Sequence, residues 1–103
     1  MPAMQLPARI TVREASAAVR TLASELARQP AGAVVDVDAS GLQQFDSSAL
    51  AVLVDLHRQA AAGGRSLHID GLPRRLGELA RVYGVADLVL SGRQPDDGNQ
   101  GAA

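Results

Sequence analysis

Residues 33–39, "AVVDVDA", alternate along the chain: Val35, Val37 and Ala39 fall on one face, and Val34, Asp36 and Asp38 on the other. A period of two marks a strand with one buried side. Residues 66–70 repeat the pattern, with Leu67 and Ile69 facing one way. Residues 6–10 read as a further short strand, with Pro7 near its start, where a missing N–H is tolerated at a sheet edge.

Between these strands the apolar spacing changes to three and four. Ala15, Ala18, Val19, Leu22 and Leu26 form one stripe, which predicts a helix over about residues 12–29. Thr11 and Glu14 have the spacing of a capping box before it, and Pro30 and Gly32 end it. Leu50, Leu53, Val54 and His57, widened by Leu56 and Ala60, predict a second helix from beside Ser47 to about residue 62. Gly63 and Gly64 stop it. Leu72, Leu76, Leu79, Ala80 and Tyr83 mark the core side of a third helix, with Pro73 at its first position and Gly84 as its left-handed end. Residues 85–90 form a short closing element, a helical turn or a strand.

The order strand–helix, three times over, predicts an α/β fold: an open, mainly parallel four-stranded sheet with right-handed crossovers and about three helices. Residues 1–90 make one domain. Residues 91–103 shift to Gly, Pro, Asp, Asn and Gln, lack the apolar area that offsets ordering entropy, and are expected to be a flexible tail.

Composition narrows the chemistry. The chain has 103 residues, a net charge of −1, no cysteine, and ten basic residues that are all arginine. Near-neutral charge offers no electrostatic footprint for nucleic acid. Without cysteine there is no disulfide framework and no thiolate metal site. Without lysine there is no P-loop and no Schiff-base chemistry. The longest apolar run, residues 49–54, is far short of the roughly 18 residues a membrane span needs. No signal peptide is visible, so a soluble cytoplasmic protein without direct membrane insertion is expected.

The informative stretch is "FDSSAL", residues 45–50, where a strand-rich segment gives way to the second helix. Asp46, Ser47 and Ser48 admit three readings. As a cap, Asp46 or Ser47 accepts a free helix N–H, worth about 1 kcal/mol. As a catalyst, Ser47 needs a base. The chain offers only His57 and His68, and His57 lies roughly 15 Å along the same helix. The flanking residues do not match a nucleophile elbow, and a two-histidine metal site finds no third ligand. No catalytic residue, cofactor or metal is therefore expected. As a switch, a hydroxyl at a helix start accepts a phosphate, whose charge beside Asp46 would alter any interface there. Arg74, Arg75 and Arg81 lie off their helix's apolar stripe and read as a solvated face, with an acidic partner as the sharper alternative.

The stretch "VVDVDASGLQQFDSSAL" resembles the signature of the STAS domain family, named for sulfate transporters and anti-sigma factor antagonists. Asp38-Ala39-Ser40 matches its first part and Asp46-Ser47-Ser48-Ala49-Leu50 its second, while "GLPRRLGELARVYGVADLV" is similar to its last helix. Ala49 stands where many anti-sigma antagonists have glycine, and one strand precedes the first helix where longer members have a hairpin. The short form most resembles STAS subunits of Mla (maintenance of lipid asymmetry) phospholipid ABC transporters. That resemblance implies a non-catalytic accessory protein that binds the transporter's ATPase subunit, in the cytoplasm beside an inner-membrane complex. It implies Ser47 as the phosphorylation or switch position; from the small polar residues opening the helix, Asp46, Ser47, Ser48 and Ala49 are expected to bind the partner, and Asp38, at its strand's end, to shape the loop with Ser40. The alternative is an anti-sigma factor antagonist whose partner is an anti-sigma factor kinase.

Overall fold

The computed structural model describes residues 4–89. The tail expected over residues 91–103 lies outside them. Nine elements follow one another: β1 (Met4–Gln5), β2 (Arg9–Ile10), α1 (Ala15–Ala27), β3 (Val34–Asp38), β4 (Gln44–Phe45), α2 (Ser47–Ala62), β5 (Ser66–Asp70), α3 (Arg74–Val82) and α4 (Ala86–Val89). The architecture is α/β, with every strand pair parallel.

The sheet is built differently from a plain four-stranded ribbon. β1, β3 and β5 pair in that order, while β2 and β4 form a separate two-stranded ladder. The strand expected over residues 6–10 is split around Pro7. Before it, Met4 pairs with Val37 and the Leu6 N–H still donates to Asp38, at 3.0 Å. After it, the Ala8 carbonyl accepts from Gln43 and Gln44, and Arg9 pairs with Gln44. Proline has no N–H to continue a ladder, so the chain changes partners there. β4 escapes sequence reading because two residues cannot show alternation.

Alternation sets what is buried. Val35, Val37, Leu67 and Ile69 face the core, while Val34, Asp36, Ser66 and Asp70 are exposed on the opposite side. The core is closed by Leu22 and Leu26 of α1, by Leu53 and Leu56 of α2 (both fully buried), and by Leu76 and Ala80 of α3.

The helix ends follow local chemistry. α1 begins later than residue 12 because the Thr11 carbonyl first accepts from Glu14 and Ala15 in a turn, both at 3.0 Å. Half of the capping box forms: Glu14 Oε1 accepts from the Thr11 N–H at 2.8 Å and from its hydroxyl at 2.6 Å. α2 ends in a Schellman motif, with Arg65 N–H on the Ala60 carbonyl (2.7 Å), Gly64 N–H on Ala61, and Gly64 at φ 76°. α3 ends in the same way through Gly84 and Val85. Pro73 sits one place earlier than expected, in the N-cap position at φ −56°, ψ 139°. Tyr83, grouped with the core side from its spacing, is 59% exposed.

Candidate functional site

The polar junction is where β4 meets α2. Phe45, half-buried, is covered by the Arg75 guanidinium, 5.7 Å from the ring centre. The next residue, Asp46, is extended at φ −134°, ψ −166° and caps the helix: its Oδ1 accepts the Ser48 N–H at 2.8 Å. Its Oδ2 takes the Val12 N–H at 3.3 Å, which ties the start of α2 to the turn before α1. These bonds lower the Asp46 pKa, the Ser48 N–H most of all; partial desolvation opposes the shift, and the Ser48 hydroxyl and Val12 N–H add to it.

Because Asp46 is the cap, Ser47 is free of that duty. Its side chain is exposed, and among the described residues its hydroxyl makes no hydrogen bond. Ser48 is half-buried beside it. Ala49 is different. It was expected on the partner face, but it is fully buried in the core, because one further step around the helix turns its side chain inward. A methyl group rather than glycine fits there, but it does not reach the surface.

The loop leading into β4 is fixed by Asp38, whose Oδ1 accepts both the Ser40 N–H (2.9 Å) and the Ser40 hydroxyl (2.6 Å). These bonds lower the Asp38 pKa, the hydroxyl contributing most. Gly71, at φ 72°, lets the chain after β5 pass close: a Cβ there would lie 3.0 Å from the Ser40 Cβ.

Ser47 and Ser48 open onto a groove of about 530 Å³ along α2, with Ala51, Val54, Asp55 and Arg58 on one wall and Tyr83 and Val85 on the other. Across the same exposed ridge, Ala51 and Asp55 also line a hollow of about 430 Å³ against Ser16, Val19 and Arg20 of α1. The surface is thus a narrow helix ridge topped by small side chains, with relief on both sides. Spacing on α2 alone does not show it, since Tyr83 and Val85 come from the far end of the chain.

Among the described residues no base stands at Ser47. His57 is farther along α2, and its Nδ1 is buried without a partner among the described residues. His68 lies on the other side of the sheet, between Asp36 and Asp70. The three form a cluster that sequence reasoning did not assemble.

The model of the family described as "Mlab, STAS domain" matches residues 2–90. The chain belongs to the STAS domain family. No curated protein matches it. STAS domains are in general non-catalytic regulatory or binding domains. No helix among the described residues is long and apolar enough to cross a membrane. Of the three arginines weighed for an acidic partner, Arg74 lies 3.8 Å from Glu78, Arg75 lies on Phe45, and Arg81 is exposed.

Proposed function

We propose that this STAS domain is a non-catalytic subunit that binds the ATPase of a phospholipid-transporting ABC complex and supports its assembly or activity, at the cytoplasmic side of the membrane. The observation that carries the reading is the exposed, unbonded Ser47 at the head of α2, beside a groove walled by Tyr83. Small polar residues on a ridge admit close approach of a partner's backbone, and the hollows on either side accept its side chains. An exposed tyrosine at the rim is the type of residue that anchors interfaces. The family description supports a transporter setting; the partner is argued from this surface and from the motif.

Co-purification with the ATPase subunit of such a complex tests this. Ser47→Arg places a long charged side chain on the ridge without touching the core or the Asp46 cap. It is expected to abolish co-purification and leave the thermal unfolding midpoint unchanged. Glu25→Arg, on the remote face of α1, should bind normally. Retained binding in Ser47→Arg would place the interface elsewhere.

The exposed Ser47 hydroxyl also favours a second reading, an anti-sigma factor antagonist switched by phosphorylation. In that case Ser47 would be modified by a cognate kinase, and the modified form would release its partner.

A further inference from the structure

The exposed side of the sheet carries a second polar cluster that docking at Ser47 leaves unused. Asp36 on β3 pairs in register with His68 on β5, and Asp38 with Asp70. Residues two apart on a strand share a face, so all four stand on one side. His68 Nδ1 lies 3.2 Å from Asp36 Oδ1 in a hydrogen bond, and Nε2 stands 3.4 Å from Asp70 Oδ1. Asp38 is the register partner of Asp70, and its Oδ1 is turned to the Ser40 N–H and hydroxyl. Among the described residues no arginine forms an ion pair with any of these three carboxylates. The strip therefore holds three acids against one imidazole.

We propose that His68 and Asp70 bind one transition-metal dication of the Zn²⁺ class, with Asp36 positioning the imidazole. A neutral imidazole has one N–H and one lone pair. In the tautomer that carries its hydrogen on Nδ1, Asp36 accepts that N–H and the lone pair is left on Nε2. Metal-binding histidines are generally held by a carboxylate on the other nitrogen in this way. Two ligand atoms each about 2.1 Å from a tetrahedral ion stand about 3.4 Å apart, and Nε2 and Asp70 Oδ1 are separated by 3.4 Å. The remaining positions open to water, since the Asp36 and Asp70 side chains are 58% and 64% exposed. One ligand atom from each of the three residues lies within 4.8 Å of the others, so little rearrangement is needed. An all-oxygen cluster suits Mg²⁺ or Ca²⁺; the imidazole nitrogen shifts the preference to Zn²⁺ and its neighbours. Binding would also stabilise the fold by mass action.

Calorimetric titration of the tag-free full chain with Zn²⁺ at pH 7.5, in excess Mg²⁺, tests the site. The chain has two histidines and no cysteine, so its nitrogen donors are separable. One equivalent of Zn²⁺ is expected to bind and to raise the unfolding midpoint. His68→Ala should lose both effects, and Asp70→Asn should weaken binding about tenfold or more. Asp36→Asn, whose amide oxygen still accepts the Nδ1–H, should weaken it less, and His57→Ala should bind as wild type. Midpoints in EDTA establish that each variant folds. Absence of saturable binding up to about 1 mM Zn²⁺, or binding by His68→Ala equal to wild type, would overturn the proposal.

Discussion

Asp46 and Ser47 are neighbours with separate duties. Asp46 holds the head of α2 through the Ser48 N–H and reaches the turn before α1 through the Val12 N–H. Ser47 makes no such bond and is exposed. The division has a signature in pH. The Asp46 pKa is lowered in the fold from its ordinary value of 3.8. Its contribution to stability is therefore full above that ordinary value and is lost as pH falls through the lower, folded one. Asp46→Asn should be less stable than wild type at pH 7, and the gap should shrink as the pH is taken below about 3.8. Urea midpoints of the two proteins across that range check this. Asp38 and Glu14, also shifted down, titrate in both proteins and cancel in the difference. A gap that is constant with pH would mean that Asp46 acts through something other than its charge.

Among the elements, α2 has two unlike faces. Leu53 and Leu56 are fully buried, while Ser47, Ala51 and Arg58 face outward. Leu53→Ala should cost about 2–5 kcal/mol, read as a fall in the urea midpoint, whereas changes on the outer face should leave stability nearly alone. A cost well under about 1 kcal/mol at Leu53 would mean that the core collapses to fill the gap. The long periodic elements were legible in the sequence because periodicity reports a buried face. That holds for β3, α2, β5 and α3, whose Leu76 and Ala80 are fully buried. The bounds of α2 were readable because an Asp cap and a Gly-Gly stop are local chemistry. β4 and the break at Pro7 were not, since a two-residue strand is defined by its partner. Ala49 was misplaced because the motif identifies a stretch, and only the helix phase says which of its members turn inward. Asp36, His68 and Asp70 stayed apart because strand register, unlike periodicity, is a relation between distant segments.

At the scale of the whole molecule, the fold brings two distant segments of the chain to one surface. The head of α2 comes from the motif at residues 45–50, and the opposite wall of the groove comes from Tyr83 and Val85. The helix side of the sheet thus carries the ridge proposed for docking, while the exposed side carries the acid–imidazole strip. The two should respond independently: Zn²⁺ titration should leave partner affinity unchanged, and Ser47 variants should leave Zn²⁺ binding unchanged. The most direct test of the docking face is the affinity of the ATPase subunit for wild type, Ser47→Ala and Ser47→Glu, measured side by side. Alanine adds neither charge nor bulk and leaves the Asp46 cap intact, so its Kd should stay within about threefold of wild type. Glutamate sets a second carboxylate beside Asp46 on the ridge and should weaken binding at least about tenfold. Equal loss in both variants would show that the hydroxyl itself is required, and equal retention in both would remove Ser47 from the interface; either result contradicts a ridge that binds through its small size.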